Sequence, residues 1–487
     1  MITYFKKILT GKNLLSRIAK GGVWISLGEG SERIARFIRN MILARLLAPE
    51  IFGLMAIVLS VSSLLESFTE VGIKKAIVQH PEGDRKTYLN GAWWFSACRG
   101  FILYFLAFIL SPTIASFYEN PALSDMMRVA FLGIFFNGLF SAKAYVTLKK
   151  MDLRTWSLIF NGGGLIGIVI TLILAIHFSN IWALIIGFCA EAFFRLILSY
   201  IFCPFLPGFQ FDKVHLKALF KFTSGMIGLP VMYFIFMKAD IFVIGKVCSP
   251  EELGLYSMAA NLARMPLDFI VVFTDQLLMP IFSEMQSDKS KINRLLNYSI
   301  SFVVFLSMPV VIIALFAGKD ILSIVYGSKY ATVALSFGLV MISEIIRVSS
   351  TPIVTAYLSI GKPELHRLFN IIRVIVIIAI IYPFIKLFGL PGAPLACITA
   401  LVVALVFQLF RLNKLIDYRP ASYLLIFMKA LLPSLLIVAI YFLIDRFSFN
   451  SWIRLCTGAA VCMIVYWLTI LLNSELRYII TNRESAR

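Results

Sequence analysis

Charged residues are scarce in this chain. They make up 15% of its 487 residues, whereas hydrophobic residues make up 60%, and the mean hydropathy is +0.88. A soluble domain of this length needs more charge to cover its surface. Apolar stretches of about 20 residues recur along the whole chain and are long enough to cross a bilayer as helices. The composition therefore predicts an all-α, polytopic membrane protein, and the continuous runs exclude a porin-type barrel, which needs short alternating segments.

Motifs of catalysis and metal binding are missing as well. The seven cysteines include no CxxC pair, and the four histidines do not cluster, which argues against a disulfide or metal framework. No GxxxxGK[ST] phosphate-binding loop occurs. No loop between the apolar runs exceeds about 20 residues, which leaves no room for a soluble catalytic domain. We therefore expect a protein that is not an enzyme and that binds neither metal nor organic cofactor.

The basic residues indicate a topology. The net charge of +19 is scattered through short loops, so positive-inside topology explains it better than binding of nucleic acid. Apolar runs bounded by charge, Pro and Gly give about fourteen spans. Even-numbered loops and both tails hold about 26 basic residues against about 7 on the other side, which predicts cytoplasmic termini. Residues 1–20 form a basic amphipathic segment that we expect to lie on the inner membrane face.

Two internal matches indicate a repeat. Residues 43–57 (LARLLAPEIFGLMAI) align without gaps with residues 244–258 (IGKVCSPEELGLYSM). A second match pairs AYVTLxKxxL from Ala144 with AYLSIxKxxL from Ala356. The matches occur in the same order and at equivalent places, although chance similarity between apolar sequences is the alternative. They predict two parallel six-helix lobes around a central cavity, related by an axis along the membrane normal, plus two C-terminal helices.

These observations divide the chain into four parts. We predict an interfacial amphipathic segment at residues 1–20, an N-lobe at 21–203, and a C-lobe at 204–411. The last part, residues 412–487, holds two further spans and a cytoplasmic tail.

Charge runs down one face of the first span, residues 21–46. An arc of roughly 100° on a helix holds five polar residues, with Arg39 beside them: they are Glu29, Glu32, Arg33, Arg36 and Asn40. A charge at bilayer depth is costly unless it faces protein or water, so such residues usually mark a substrate or ion path. Self-neutralisation is the alternative, because Glu29 with Arg33 and Glu32 with Arg36 are i,i+4 pairs. We favour a polar cavity.

The eighth span, residues 252–282, repeats this pattern within an arc of roughly 60°. Its polar residues are Ser257, Asn261, Arg264, Asp268 and Asp275. Lys238 is embedded in the seventh span near Asp240, and the second span contributes Glu66. For Arg99, for Glu191 with Arg195, and for Glu344 with Arg347 we favour a structural pairing role, since buried charges need partners.

The chemistry of these residues suggests an anionic substrate. Arginine forks and lysine ammonium groups suit phosphate, and the repeat places the first span opposite the seventh and eighth. We predict a substrate-binding set consisting of Arg33, Arg36, Arg39, Asn40, Lys238, Asn261 and Arg264. The carboxylates either bind a coupling ion, H⁺ or Na⁺, or simply balance the arginines. This ion-coupling set is Glu29, Glu32, Glu66, Asp268 and Asp275.

Several segments carry a resemblance to a known family. They are ILARLLAPEIFGLMAI (42–57), VGIKKAIVQ (71–79), GLYSMAANLARMP (254–266), and VYGSKY (325–330) followed by GKPEL (361–365). The chain resembles the polysaccharide transporters of the multidrug/oligosaccharidyl-lipid/polysaccharide exporter superfamily, in the Wzx-type branch of colanic-acid and O-antigen flippases. The resemblance implies two six-helix lobes around a cationic cavity, with two extra C-terminal helices. It does not transfer individual cavity residues.

The resemblance also implies a function. A flippase of this branch moves an oligosaccharide repeat unit, carried on undecaprenyl pyrophosphate, from the cytoplasmic to the outer leaflet of a bacterial inner membrane. The expected partners are the lipid-linked oligosaccharide, membrane lipids and polysaccharide polymerase or assembly proteins, and nucleic acid is not among them. Transport by alternating access would involve rocking of one lobe against the other.

Three alternatives stay open at this point. A multidrug-type exporter would need an acidic, aromatic cavity for cationic drugs, whereas the predicted cavity is basic. A membrane polymerase or glycosyltransferase of the same pathway would need a large extracytoplasmic loop or an acidic metal motif. A scaffold in an assembly complex would not require buried charge in several spans.

Overall fold

The computed structural model describes residues 14–67, 72–209, 228–285 and 288–445, and the single residue 457. In these residues all regular structure is helical, and no strand occurs. The chain divides into two compact units, Met1–Ile235 and Phe236–Arg487. The all-α, multi-pass prediction is thereby confirmed.

Unit 1 contains nine described helices that lie wholly within it. In chain order, α1 to α9 are Leu14–Leu46, Pro49–Ser67, Ile73–Gln79, Lys86–Phe117, Ala122–Ala130, Leu132–Gly138, Ala142–Lys149, Leu153–Phe178 and Ile181–Phe202. Helix α8 packs along both α1 and α9. The predicted interfacial segment differs in one respect: its residues from Leu14 onward already belong to α1, and residues 1–13 lie outside the described residues.

Unit 2 begins inside helix α10. In chain order, α10 to α18 are Gly228–Val247, Pro250–Glu284, Lys289–Phe316, Gly318–Val325, Ala334–Ser349, Thr351–Ser359, Pro363–Phe388, Gly392–Ile416 and Pro420–Asp445, with a 3₁₀ turn at Ser328–Val333. Helix α14 packs against α11, α12 and α17, and α16 packs along α17.

Local sequence signals explain where many of these helices begin. At the start of α11 the Ser249 hydroxyl accepts from the backbone N–H of Glu252, whose carboxylate accepts from the Ser249 N–H. This capping box satisfies amides that the helix leaves without an internal partner. Asp152, Asn180 and Asp288 cap α8, α9 and α12 in the same way with their side-chain oxygens.

Eight described helices are long and apolar enough to cross a membrane, or up to nine if a bent pair counts as one span. The bent pair joins Ala122–Gly138 to Ala142–Lys149 at 59°, where the sequence predicts one span. The total of about fourteen spans stays a prediction. The two spans that we expect after residue 412 fall partly outside the described residues, which end, apart from residue 457, at Asp445.

The structure places both sequence matches at corresponding points. Pro49 begins α2 and Pro250 begins α11, so each copy of the first match opens a helix with proline. Ala144 lies in the short helix α7 and Ala356 in the short helix α15. Each short helix precedes a helix of 26 residues, α8 or α16. The four-part division of the chain stays a prediction.

The break after α6 is stabilised by side chains. The Leu139 carbonyl accepts from Trp93 Nε1 at 3.3 Å and from the Tyr200 hydroxyl at 3.0 Å, and Trp93 Nε1 also lies 2.8 Å from that hydroxyl. A carbonyl released from a helix inside a bilayer needs such donors, because lipid tails offer none. Helices α4 and α9 therefore hold the bend in place.

Glycine allows two of the helices in unit 1 to approach closely. A methyl group built on Gly100 of α4 would lie 2.8 Å from the Gly138 Cα, and one built on Gly138 would lie 2.9 Å from the Gly100 Cα. The obstacle in each case is backbone, which cannot rotate away. We therefore expect the α4–α6 contact to tolerate no side chain at either position.

This contact gives a stability prediction. Gly100→Ala should lower the free energy of unfolding by about 1–3 kcal/mol through overpacking. The matched control is Gly30→Ala in α1, where a methyl group meets nothing within 4 Å. That change should be neutral or stabilise by up to about 1 kcal/mol. Apparent melting temperatures of the purified protein in detergent would test both, and equal values for the two variants would contradict the prediction.

Candidate functional site

Four charged side chains form a compact cluster where α1 meets α9. Arg36 Nη2 lies 2.5 Å from Glu32 Oε1 and 2.6 Å from Glu191 Oε1. Arg195 Nη2 lies 2.9 Å from Glu191 Oε1 and 3.3 Å from Glu32 Oε1. Two arginines thus face two carboxylates, so the cluster is neutral in sum. The alternative of self-neutralisation predicted the i,i+4 pair of Glu32 with Arg36, and this pair forms. A second i,i+4 pair, Glu191 with Arg195 of α9, joins it.

Glycines in α8 provide the space for this cluster. A methyl group on Gly164 would lie 2.5 Å from Glu32 Oε1, and one on Gly163 would lie 2.5 Å from Arg195 Cγ. On Gly167 it would lie 2.9 Å from the Glu191 Cα. The NGGG run at 161–164 therefore serves helix packing, as the sequence indicates for small residues in a span. The glycine face of α8 also leaves space for the ion pairs of Glu32, Glu191 and Arg195.

Beside the cluster lies a cavity of about 330 Å³, which we call the arginine cavity. Its charged lining consists of Glu29, Glu32, Arg33, Arg36 and Lys74, and Trp156, Phe160 and Asn161 complete it. Three basic and two acidic side chains meet here. A partly enclosed space with converging guanidinium and ammonium groups suits a phosphate or another anion.

A second cavity of about 210 Å³, the aromatic cavity, shares Lys74, Trp156 and Phe160 with the first. The rings of Phe140, Tyr145, Trp156 and Phe160 line it in sequence. Its other polar lining residues are Glu66, Ser96, Arg99, Asn137 and Arg195. Glu66 accepts a hydrogen bond of 3.1 Å from the Asn137 amide. Both cavities lie within unit 1.

Two residues of the predicted set on α1 lie beyond these cavities. Arg39 donates to the Asn40 side-chain oxygen from Nε at 3.3 Å and from Nη2 at 3.1 Å. Neither residue lines the arginine cavity, so the predicted face divides into two parts. The arginine cavity is lined by the other predicted residues of α1, Glu29, Glu32, Arg33 and Arg36. The predicted residue of α2, Glu66, lines the aromatic cavity.

Unit 2 contains a separate buried network. The Arg264 guanidinium lies 3.0 Å from Asp240 Oδ2 and 3.5 Å from Glu344 Oε1. The Tyr256 hydroxyl donates to the same Asp240 oxygen at 2.9 Å. Asp240 is 1% exposed, so both contacts replace water that this carboxylate has lost.

Arg347 of α14 links this network to Asp268, which lies one turn after Arg264 on α11. It donates to Glu344 at 2.6 Å and lies 2.7 Å from Asp268 Oδ1. Three carboxylates, from Asp240, Asp268 and Glu344, therefore share two arginines, Arg264 and Arg347. Among the described residues of this network, the carboxylates outnumber the guanidinium groups by one.

The structure brings some of the predicted unit 2 residues together and leaves others apart. Arg264 and Asp268 belong to the network. Lys238 is half-buried on α10, two residues before Asp240, and Asn261 is exposed on α11. The side chain of Asp275 lies outside the described residues. The structure does not test whether any of these residues binds a substrate or an ion.

Sequence reasoning assigned several cavity residues to other roles. Lys74 is one of the basic loop residues that positive-inside topology explains, and the structure shows that it lines both cavities. Trp156 and Tyr145 were not singled out, because aromatic residues are common in membrane helices. The position of Lys74 inside the VGIKKAIVQ segment was the available signal. Among the described residues, no group of three His, Cys, Asp or Glu could hold a metal ion.

The comparisons with known proteins identify the family. Residues 42–335 match the family described as "Polysaccharide biosynthesis protein". The chain belongs to this family. The resemblance to a polysaccharide transporter is thereby confirmed.

Characterised relatives carry consistent names. The chain is 25% identical over 325 residues to the succinoglycan biosynthesis transport protein ExoT of Rhizobium meliloti, covering 66% of this chain and 65% of ExoT. It is 20% identical over 366 residues to the lipopolysaccharide biosynthesis protein WzxC of Escherichia coli, covering 74% of each chain. The match thus spans about two thirds to three quarters of these relatives. ExoT is named as a transport protein, and WzxC is named as a lipopolysaccharide biosynthesis protein.

Solved structures show the fold. The lipid II flippase MurJ, in an inward closed conformation, matches with a TM-score of 0.77 at 16% identity, covering 95% of this chain and all of MurJ. An inward-facing multidrug resistance MATE transporter matches with a TM-score of 0.61 at 14% identity, covering 79% of this chain and 95% of that one. The chain has the transporter fold that these two proteins share.

The glycine face of α8 provides a test of the cluster. Gly164→Ala places a methyl group against the Glu32 carboxylate, which two arginines hold in position, so the free energy of unfolding should fall by about 1–3 kcal/mol. Gly162→Ala is the control in the same run, because its methyl group would meet only the Leu198 Cδ1 at 3.4 Å. Thermal unfolding in detergent measures both. A Gly164→Ala protein as stable as Gly162→Ala would show that the carboxylate is not confined.

Proposed function

We propose that this chain is a flippase that moves a lipid-linked oligosaccharide repeat unit across a bacterial inner membrane during synthesis of a surface polysaccharide. The lipid carrier is undecaprenyl pyrophosphate, and transport runs from the cytoplasmic to the outer leaflet. Membership of the polysaccharide biosynthesis family and the MurJ-like fold support this proposal. Both termini lie in the cytoplasm, as the distribution of basic residues predicts.

The arginine cavity is the observation that carries the proposal. An apolar membrane protein has no structural need for a cavity of about 330 Å³ lined by Arg33, Arg36 and Lys74, because ion pairs alone neutralise charge without leaving a cavity. In the flippase, the pyrophosphate binds to these basic groups, the sugars occupy the hydrated space beside them, and the prenyl tail remains in lipid.

Alternating access with ion coupling completes the mechanism that we propose. Glu29 and Glu66 line the two cavities of unit 1, and the unit 2 network has one carboxylate in excess of its arginines. A proton or Na⁺ that binds at such carboxylates changes the charge that a phosphate meets. The prediction that Arg39, Asn40, Lys238, Asn261 and Asp275 contribute stands as part of this proposal.

Export of drugs is the second candidate, because the fold is shared with a multidrug transporter. A cationic drug would meet three basic and two acidic groups in the arginine cavity, and three basic and one acidic in the aromatic cavity. This charge balance favours anions. Measuring dye accumulation in cells with and without the gene distinguishes the two functions.

Arg33→Gln tests the arginine cavity. Loss of one charged hydrogen-bonding group should lower polymer export at least tenfold, since such a contact contributes roughly 1.5–3 kcal/mol. Surface polysaccharide and lipid-linked repeat units would be measured in cells lacking the gene and complemented with each variant. We expect the repeat units to accumulate with Arg33→Gln.

Arg45→Gln is the matched control. Arg45 lies exposed in the last turn of the same helix, about 18 Å along the axis from Arg33 at 1.5 Å per residue. This variant should export normally. Protein amount in the membrane and melting temperature would be checked for both. Export by Arg33→Gln equal to that of the wild type, with normal protein amount, would refute the site.

A further inference from the structure

Helices α16 and α17 of unit 2 form a hairpin with basic residues at its open end. The two helices pack along each other, contain 26 and 25 residues, and are joined by residues 389–391. The first turns of α16 therefore lie beside the last turns of α17. At 1.5 Å per residue, Arg367 lies about 6 Å from the start of α16, and Arg411 and Lys414 lie about 8 Å and 3 Å from the end of α17. Three cations from two helices thus lie at nearly one level, which we call the basic end.

The three side chains of the basic end are exposed, and within the described part of the chain none of them forms an ion pair. The two carboxylates that are nearest to them in sequence have lysine partners. Glu364 lies 3.7 Å from the Lys362 ammonium, and Asp417 lies 3.4 Å from the Lys289 ammonium. The basic end is therefore available to an anion from outside the protein.

Each basic residue continues an exposed apolar stripe of its own helix. At about 100° per residue, Phe407 and Phe410 lie within about 40° of Lys414 around α17, and both rings are exposed. On α16 the exposed Ile378 lies within about 20° of Arg367. In a bilayer such stripes contact acyl chains, so the cations at their ends reach the level of the lipid head groups.

Phosphate is the anion that a cation meets at this level. Guanidinium forks and ammonium groups pair well with phosphate oxygens. Packed helices lie about 8–10 Å apart, so cations from α16 and α17 suit two phosphate groups better than one. Positive-inside topology explains on which side of the membrane these residues lie. It requires neither a common level on two helices nor a place above a lipid-facing stripe.

We propose that the basic end of the α16–α17 hairpin binds an anionic phospholipid of the cytoplasmic leaflet, and that Arg367, Arg411 and Lys414 hold its phosphates. A lipid with two phosphate groups, such as cardiolipin, fits best, and its acyl chains lie along the stripe of Phe407 and Phe410. Basic sites between membrane helices on the cytoplasmic side bind such head groups. The site belongs to unit 2 and does not rest on the proposed function, in which the arginine cavity of unit 1 binds the substrate.

Lipid titration of the purified, delipidated full-length protein in detergent tests this proposal. Cardiolipin and phosphatidylethanolamine with the same acyl chains are added, and bound lipids are counted by native mass spectrometry. The wild type should bind its first cardiolipin at least tenfold more tightly than phosphatidylethanolamine. Each basic residue near a membrane surface contributes a factor of about five, so the double variant Arg367→Gln/Lys414→Gln should bind cardiolipin about 25-fold more weakly. Unchanged cardiolipin binding in the double variant overturns the proposal.

Lys386→Gln is the matched control. Lys386 is an exposed cation of the same helix, about 29 Å along the axis from Arg367, and its ammonium lies 5.4 Å from the centroid of the Tyr382 ring. This variant should bind cardiolipin as the wild type does. A loss as large as that of the double variant would show that net charge decides and not the basic end, and would contradict the proposal.

A second comparison separates a lipid from a free phosphate compound. Inorganic pyrophosphate also carries two phosphate groups but has no acyl chains, so at equal concentration it should leave cardiolipin bound. Complete displacement would indicate a site for soluble anions and would refute the lipid. Melting temperatures without lipid should be equal for the wild type and the double variant, because the exchanged side chains are exposed. Arg411→Gln, with an expected loss of about fivefold, serves if the double variant does not fold.

The outcomes for the lipid site and for the proposed function are distinguishable. Arg33→Gln changes the arginine cavity and should leave cardiolipin binding unchanged. If it lowers cardiolipin binding as much as the double variant does, the lipid binds in unit 1 and this inference falls. If Arg33→Gln leaves polymer export unchanged while the double variant loses cardiolipin, the substrate site falls and the lipid site stands.

Discussion

A charge placed among apolar helices must find an opposite charge, and this constraint organises both units. In unit 1, Arg36 joins Glu32 of its own helix to Glu191 of α9. In unit 2, Arg264 joins Asp240 of α10 to Glu344 of α14. Each arginine thus ties together helices that are far apart in sequence. The cost of an unpaired charge in this environment makes these contacts decisive for how the helices assemble.

The sequence predicted the all-helical, multi-pass architecture and the charged face of α1. Hydrophobic runs report their burial directly, and the Pro49 and Pro250 helix starts follow from the backbone preferences of proline. The spacing of Glu32 and Arg36 places them one turn apart on any helix. The bend between Gly138 and Ala142 was not predicted, because the apolar run continues through it. Contacts with other helices stabilise it, among them those of Trp93 and Tyr200 with the Leu139 carbonyl.

The candidate site was predictable only in part, since helix periodicity says which residues share a face but not what that face meets. Glu191 and Arg195 join the α1 face through contacts between helices, to which no pattern within α1 points. The same holds for Lys74. Its charge predicts a membrane side, whereas its contact with the Trp156 ring depends on how α3 packs against α7, the helix before α8. The charged cluster also depends on glycine, because Gly163, Gly164 and Gly167 leave room for the side chains of Arg195, Glu32 and Glu191.

The bend after α6 has a consequence for the cavity wall. Phe140 follows Leu139 directly, and Tyr145 lies in the next helix, α7. Side chains from two other helices bind the Leu139 carbonyl. A bend that is hydrogen-bonded to two neighbouring helices is rigid and does not act as a hinge. We expect the row of rings to keep its shape through a transport cycle. A substrate that passes this wall would then exchange its contacts from one ring to the next, while the rings themselves keep their positions.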